Sequence, residues 1–473
     1  MQDSLPNWAC AVGWLFATLL FFMWVALSGG ETRVDTFETM FSTWAVAHGH
    51  LSCIYPPGNK AIYPYVEPLY PLLSGVVSAV LRIGHGTAFP SSAQLGLHCS
   101  SALRAMTAWS KSSGAVAATL RVGYIAWFVL LAGTVSLLRA VGRGRCWWEP
   151  ITAVIVASLT PVLMCLQEAF HPQDLIALGL ALGGVACVRR GAWVWAGVWF
   201  GLAFITQQFS LLALVPLLVL APSAQRVRFA AAAAAVVAVV VAPLVVLTSG
   251  RAIRAGVIGS GFSPSPAGGG TLVWETHAHG ALQFIVSRLL PIVCAAALAW
   301  WASRRLGPAA LEPVALVSII ATSLSFRLVF EENIFSYYFM AIAIMLVLLD
   351  ATRGRLRLST VAWLATEALC FDPIAWAFRY PHLLNLRHWI PVVVAVVALV
   401  FVVYELSLRR VRPWFLIWLA FIVFVFVRIP WEASTFPLVL PLWLWQTIIV
   451  SSALFLAVNP LTGLVRSRTE VLQ

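Results

Sequence analysis

Long apolar stretches alternate with short polar segments along most of the chain. The stretches at 8–28 and 229–248 contain no charged side chain, and each is about 20 residues long, enough to cross about 30 Å of hydrocarbon as an α-helix. We therefore predict an all-α polytopic membrane protein with about 11–14 transmembrane helices, organised as a single transmembrane domain over 1–473. The other predicted crossings lie at 115–138, 150–169, 174–188, 192–208, 210–222, 284–302, 308–327, 334–350, 358–374, 389–408, 413–428 and 437–459.

Two longer polar segments, 29–114 and 249–283, interrupt this pattern. In the first, the spacing of apolar residues from Phe37 to Val46 predicts an amphipathic helix on the membrane surface. The apolar run from Leu69 to Ile83 fits either a second surface helix or a further crossing. The two segments are the places where chemistry outside the bilayer is expected to concentrate.

Composition excludes a water-soluble fold. Hydrophobic residues make up 61% of the 473 residues and charged residues 10%, whereas soluble domains have roughly 25% charged residues. The formal net charge of +12 comes from arginines in the short segments between apolar stretches, which is the positive-inside signal and not the footprint of a nucleic-acid partner. This pattern predicts cytoplasmic termini, and it puts 29–114 and 249–283 outside the cytoplasm. The runs are Arg139/Arg143/Arg145, Arg189/Arg190, Arg226/Arg228, Arg304/Arg305, Arg353/Arg355/Arg357, Arg409/Arg410/Arg412 and Arg466/Arg468.

Two of the eight cysteines, Cys53 and Cys99, fall in the first outer segment. Disulfides persist in compartments outside the cytoplasm. The pattern leaves two alternatives for this pair, a Cys53–Cys99 bridge or two free thiols.

Candidate chemistry begins directly after the first predicted helix, at Asp35 and Glu38. A proline- and aromatic-rich run follows, in which Tyr55 and Lys60 precede the sequence Tyr63-Pro64-Tyr65. Proline stiffens such a run, and stiff aromatic surfaces suit sugar rings and isoprenoid tails. The alternative role for Asp35 is to cap the helix that follows it.

Two further outer turns carry polar side chains. His171 and Asp174 flank Pro172 between two predicted helices, where polar groups that face a cavity are functional candidates. Capping of a helix that begins at Leu175 is the alternative role for Asp174. In the next outer turn, Gln207 and Gln208 either bind substrate or satisfy the carbonyl groups of a helix end.

A fourth candidate group lies at the end of the helix predicted over 308–327. Arg327 precedes Glu331 by one helical turn, and Tyr337 follows in the next segment. An arginine near the end of a membrane-spanning helix is usually paired. An Arg327–Glu331 ion pair with a structural role is therefore the alternative to substrate binding.

The order of these features resembles the GT-C superfamily of integral membrane glycosyltransferases, in particular the bacterial mannosyltransferases that use polyprenyl-phosphate sugars. Asp35 with Tyr55-Pro56-Pro57 stands where those enzymes have a catalytic Asp and a proline-aromatic segment. The turns at His171-Pro172-Gln173-Asp174 and Gln207-Gln208 are similar to their second and third outer turns. Those enzymes often carry a Lys or Arg where Gln207 or Gln208 stands here, which leaves open the residue that holds the donor phosphate.

The resemblance implies inverting transfer of a hexose, with mannose as the first choice, from a polyprenyl-phosphate donor to a glycolipid or cell-envelope glycan acceptor. Asp35 would be the base, Glu38, His171 and Asp174 would line the sugar site, and the other candidates would bind the rest of the substrates. The scheme requires no cofactor beyond the lipid-linked donor and leaves a divalent cation open. The candidate phosphate holders are His171, Lys60, Arg327 and Arg379.

The expected location is the bacterial plasma membrane, with the active site on the extracytoplasmic face and membrane lipids as neighbours. Two other functions compete with the transferase. A transporter or flippase of lipid-linked sugars would need charged groups near the middle of the bilayer, whereas the polar groups here are predicted at outer helix ends. A non-catalytic membrane scaffold is the other alternative, and only an activity assay separates it from the enzyme.

Overall fold

The computed structural model describes residues 4–27, 34–54, 67–80, 99, 113–167, 170–250, 281–331, 336–371 and 442–472. All the regular secondary structure in these ranges is helical, with no β-strand. The α-helices are α1 (Asn7–Leu27), α2 (Val34–Ala47), α3 (Leu69–Val80), α4 (Ser113–Ala140), α5 (Trp148–Ala157), α6 (Thr160–Gln167), α7 (Pro172–Arg189), α8 (Trp193–Phe204), α9 (Leu211–Leu220), α10 (Ser223–Leu247), α11 (Leu290–Leu306), α12 (Pro313–Phe330), α13 (Met340–Arg353), α14 (Leu358–Phe371) and α15 (Leu442–Leu472). A short α-turn at Ala281–Phe284 and a π-helical segment at Ile285–Leu289 lead directly into α11.

Six of the described helical segments are long and apolar enough to cross a membrane, as expected for an all-helical polytopic chain. The broken α5–α6 helix makes a seventh if it is counted as one span. The larger number predicted from the sequence stays a prediction, because 389–408 and 413–428 lie outside the described residues. The six segments are Gly123–Ala140, Pro172–Arg189, Ser223–Leu247, Leu282–Leu311, Pro313–Phe330 and Ile449–Arg468.

The single helix predicted over 150–169 is broken in the structure. Its two parts, α5 and α6, meet at a 51° bend. Pro161 follows the break and has no N–H group to offer to a carbonyl one turn earlier, so it cannot continue α5, whereas it is tolerated in the first turn of α6.

The first outer segment contains two packed helices, α2 and α3. The Thr43 and Ser74 hydroxyl oxygens are 2.7 Å apart, and Gly75 lets α3 approach the side chain of Val46. At 12 residues the described α3 is about 18 Å long, shorter than the roughly 30 Å of hydrocarbon. A disulfide joins Cys53 to Cys99 across 5.3 Å between their Cα atoms, so the bridge is the alternative that the structure contains.

Glycines bring the central helices into direct backbone contact. A Cβ atom at Gly133 of α4 would overlap the carbonyl group of Gly179 of α7, and Gly197 and Gly201 of α8 face the backbone of α10 in the same way. Small residues at helix contacts are typical of membrane bundles. The result is that α7 is enclosed, with 89% of its span buried, and its first turn carries polar residues into the interior of the bundle.

Most of the charged side chains that the structure describes lie at two opposite ends of the bundle. At one end, which we call the arginine-rich end, contacts join five of the arginine runs found in the sequence. The hydrogen bonds that join them run from Arg190 to the Ser136 carbonyl, from Arg143 to that of Thr352, from Arg189 to that of Leu311 and from Arg468 to that of Leu306. The other end carries Asp174, Arg327 and Glu331, and we call it the acidic end. That the arginine-rich end faces the cytoplasm stays a prediction.

Candidate functional site

The turn between α6 and α7 forms one wall of the acidic end. Phe170, a bulky residue, adopts a left-handed conformation with φ of 52°, which costs energy and is frequent at functional sites. Pro172 begins α7, so His171 precedes the helix and Asp174 lies in its first turn. The Thr39 hydroxyl of α2 donates to the Phe170 carbonyl oxygen across 3.5 Å, which brings α2 against this turn.

Arg327, in the last turn of α12, is the centre of the cluster. Its guanidinium lies 3.4 Å from Asp174 Oδ2 and 3.4 Å from Glu331 Oε2. The same group lies 3.9 Å above the ring of Tyr338 and 4.8 Å above that of Phe209, both favourable cation–π distances. The Arg327 side chain is 12% exposed and the two carboxylates are buried, so this charge is held almost entirely by protein groups.

A second arginine, Arg288, shares Glu331 with Arg327. Its Nη1 atom donates to both carboxylate oxygens of Glu331, at 3.0 and 3.1 Å. Arg288 lies in the π-helical segment, a type of irregularity that is frequent at functional sites. Arg288 is not among the site residues predicted from the sequence, although a lone arginine inside a predicted apolar helix is the signal that identifies such residues.

His171 is held by aromatic and amide neighbours. Its ring stacks on Tyr337 with centroids 4.7 Å apart, and its Nδ1 atom lies 2.9 Å from Nε2 of Gln173. Tyr337 meets Tyr338 edge to face at 4.8 Å, which connects this stack to Arg327. His171 and Asp174, predicted from one turn, are therefore brought together with Arg327, Glu331 and Tyr337, predicted from a separate helix end.

Glu67, directly before α3, belongs to the same region. Its carboxyl group is 5% exposed. Burial raises the pKa of Glu67 to about 8, the charge of Asp174 also raises this pKa, and the guanidinium groups of Arg288 and Arg327 lower it. The backbone N–H of Leu69 donates to the Ile205 carbonyl oxygen at 3.1 Å, which fixes the start of α3 beside the turn that holds Gln207. Glu67 falls in the segment 29–114, predicted to lie outside, but it is not among the site residues predicted from the sequence.

Gln207 and Gln208 directly precede Phe209, the residue whose ring contacts Arg327. Gln207 has extended backbone and precedes a short 3₁₀ turn, Gln208–Ser210, whose Phe209 ring lies under the Arg327 guanidinium. Both glutamines are partly exposed. They therefore line the same end of the bundle as the ion-pair cluster.

The remaining candidates fall on α2 or outside the described residues. Asp35 is the second residue of α2, one helical turn before Thr39, and Glu38 immediately precedes Thr39. Their side chains lie outside the described residues, as do Tyr55, Lys60 and Arg379 in full. The backbone of α2 nevertheless brings Asp35 to within about one turn of the contact with Phe170.

The structure decides between two of the alternatives posed by the sequence. Asp174 does not cap a helix that begins at Leu175, because α7 begins three residues earlier at Pro172 and the Asp174 carboxylate binds Arg327. The Arg327–Glu331 ion pair is present. This pair belongs to a larger cluster that also includes Asp174 and Arg288 from two other helical segments, so its role is not only local.

Three buried oxygen atoms of the site have no hydrogen-bond donor among the described residues: Gln173 Oε1, Asp174 Oδ1 and Glu67 Oε2. Unmatched acceptors inside a protein are costly, and they are suited to ligands that carry hydroxyl groups. Within the described ranges no group of three His, Cys, Asp or Glu side chains has a geometry that could hold a metal ion.

Comparison with known proteins provides no assignment for this site. No protein-family model matches the chain, and no curated protein is significantly similar to it.

Proposed function

We propose that this protein is a GT-C-type glycosyltransferase. It moves a hexose, with mannose as the first choice, from a polyprenyl-phosphate donor to a glycolipid or cell-envelope glycan acceptor on the extracytoplasmic face of the membrane. The observation that carries the proposal is the convergence of Arg327, Asp174, Glu331 and Arg288 with the start of α2, the helix that bears Asp35.

The reaction needs a base, positive charge and hydroxyl-binding groups. The acceptor hydroxyl oxygen forms a bond to the anomeric carbon while the bond from that carbon to the phosphate oxygen breaks. The hydroxyl proton passes to Asp35, and the electron pair of the broken bond leaves with the polyprenyl phosphate. Because the carbon is attacked from the side opposite to the leaving group, its configuration inverts.

The charged groups of the acidic end match these requirements. The leaving phosphate gains negative charge as the bond breaks, and preorganised guanidinium groups stabilise such charge. Asp174 and the His171–Tyr337 stack offer acceptors and an aromatic face to the sugar ring. Gln207 and Gln208 provide amide groups at the same end of the bundle.

The direct test is transfer of radiolabelled mannose from polyprenyl-phosphomannose in membranes that contain the wild type, Asp35→Asn or Asp35→Ala. A broad extract of envelope glycolipids and glycans supplies the acceptor. We expect transfer by the wild type and a loss of at least about 100-fold in both variants, because a positioned base contributes roughly 10²- to 10⁴-fold. Thermal unfolding of the purified variants checks that they remain folded.

Other outcomes distinguish the competing functions. Transfer that persists in folded Asp35→Ala would keep the enzyme and assign the base to another acid, with Asp174 as the next candidate. Absence of transfer from polyprenyl-linked mannose, glucose and galactose alike would contradict the transferase. Transbilayer movement of a fluorescent polyprenyl-phosphate sugar in proteoliposomes would then support the flippase, and its absence the scaffold.

A further inference from the structure

Arg288 is a charged residue placed within an apolar helical segment. It lies six residues after Leu282, the start of a segment long and apolar enough to cross a membrane, which is about 9 Å along the helix axis. Its side chain is 25% exposed, twice the exposure of Arg327. A cation within such an apolar segment is expensive unless it is paired or serves a ligand.

Glu331 is bound by both arginines at once. Arg288 Nη1 contacts its two oxygens, while Arg327 Nε reaches Oε2. An anionic group between guanidinium groups is also the arrangement in which arginines bind phosphate, since carboxylate and phosphate oxygens accept the same paired N–H donors. Glu331 therefore occupies a position that a phosphate group can take.

The charge of the cluster favours a ligand with one negative charge. Arg288 and Arg327 carry two positive charges, and Asp174, which forms an ion pair with Arg327, neutralises one of them. The remaining positive charge is balanced by Glu331. A phosphodiester, which carries one negative charge, replaces this carboxylate without a change in net charge.

The backbone allows Glu331 to leave this position. It is the first residue after α12, with extended backbone (φ −69°, ψ 154°), and its N–H still bonds to the Arg327 carbonyl. Rotation of its side chain therefore does not require α12 to unwind. Asp174, in contrast, lies within the enclosed first turn of α7 and stays with Arg327.

We propose that Glu331 is an exchangeable counter-ion and that Arg288 and Arg327 together form the binding site for the phosphodiester group of the lipid-linked donor. This inference rests on the proposed function for the identity of the donor. It assigns the donor phosphate to Arg288 as well as to Arg327, and it gives Glu331 the role of competing with the donor instead of binding it.

The test measures the dissociation constants of polyprenyl-phosphomannose and of polyprenyl phosphate for the full-length protein in phosphatidylcholine nanodiscs. Because a neutral amide does not compete for the guanidinium groups, we expect Glu331→Gln to bind polyprenyl-phosphomannose at least about tenfold more tightly than the wild type. Arg288→Gln should bind it at least about tenfold more weakly, since the phosphate loses a charged donor pair. Arg304→Gln, an exposed arginine of the arginine-rich end, is the control and should bind as the wild type does.

A second variant guards against misfolding. Arg288→Gln combined with Glu331→Gln removes both partners of the pair and leaves no new buried charge, so it should fold and bind more weakly than Glu331→Gln alone. Folded Glu331→Gln that binds no more tightly than the wild type would overturn the exchange. Competition by inorganic phosphate at equal concentration would overturn the assignment to a lipid-linked ligand.

The outcomes separate this inference from the proposed function. If mannose transfer occurs but the Arg288 and Glu331 variants bind the donor as the wild type does, the transferase stands and the exchange is overturned. If polyprenyl-phosphomannose binds with the expected dependence on Arg288 and Glu331 but no mannose is transferred, the exchange stands and the sugar transfer is contradicted.

Discussion

At the arginine-rich end of the bundle, guanidinium groups mostly donate to carbonyl groups at helix ends, whereas at the acidic end they bind carboxylates from different helices. Arg226 donates to three carbonyl groups at the end of α9 and just beyond it, and Arg189 donates to the Leu311 carbonyl at 2.5 Å. Such contacts satisfy carbonyl groups that a helix leaves without partners at its C-terminus. Arg327, in contrast, binds Asp174, which is 153 residues away in the sequence.

The acid pairs of the two ends also differ in sequence separation. At the arginine-rich end, Arg139 binds Glu149 and Arg357 binds Asp350, over 10 and 7 residues. At the acidic end, the Arg327–Glu331 pair spans four residues, but Arg288 binds the same Glu331 over 43 residues. Local pairs stabilise the turn between two neighbouring helices. Long-range pairs bring charge from several helices to one place at a desolvation cost, which is the arrangement expected of a binding or catalytic site.

Loss of one arginine at each end tests the strength of the two kinds of pair and should give the largest effects on stability. Arg357→Gln leaves Asp350 buried without its cation, and Arg327→Gln does the same to Asp174 and reduces the pairing of Glu331. We expect both to lower the free energy of unfolding on the order of 3 kcal/mol, with the larger loss for Arg327→Gln. Denaturant unfolding of the purified proteins in detergent measures this loss.

An unchanged stability of Arg327→Gln would contradict the cluster at the acidic end. The exposed Arg305→Gln is the control, and it should unfold close to the wild type because its guanidinium is in contact with solvent.

A smaller effect is expected from Glu67, which makes the acidic end sensitive to pH. The pKa of Glu67 is about 8 in the folded protein against 4.5 for the free side chain, so the folded state binds this proton more tightly than the unfolded state. The contribution of Glu67 to stability is therefore complete below pH 4.5 and is lost as the pH rises toward 8. Glu67→Gln should remove this part of the fall in melting temperature between pH 5 and 8.

Glu312→Gln, an exposed acid near the arginine-rich end, is the matched control for this measurement and should keep the pH dependence of the wild type. An equal slope in Glu67→Gln and the wild type would show that the Glu67 carboxyl is not buried with a raised pKa.

The sequence predicts what depends on local pattern. Apolar length predicts the helix over 174–188, which the structure extends to Pro172–Arg189, and the one-turn spacing of Arg327 and Glu331 predicts their ion pair. Topology alone brings His171, Asp174, Arg327 and Tyr337 to one end, because outer turns share a side of the membrane. Their contacts with one another confirm that they lie close together.

Features that depend on long-range packing were missed. The role of Arg288 depends on the approach of its helix to the end of α12, and the burial of Glu67 depends on how α3 docks beside Ile205. Neither contact has a local signature. The break between α5 and α6 is different, because Pro161 is a local signal for it in the sequence. A prediction from apolar length alone does not use that signal.

The measurement that tests the central claim most directly is mannose transfer from polyprenyl-phosphomannose by Asp174→Asn and Asp350→Asn, expressed per folded molecule. Both are buried acids paired with an arginine, one at each end of the bundle. We expect Asp174→Asn to lose at least about 100-fold in rate, because the Arg327 cluster is displaced from the donor, and Asp350→Asn to transfer at nearly the wild-type rate. Equal losses in the two variants would contradict a functional acidic end, since the difference between the ends would then be one of stability alone.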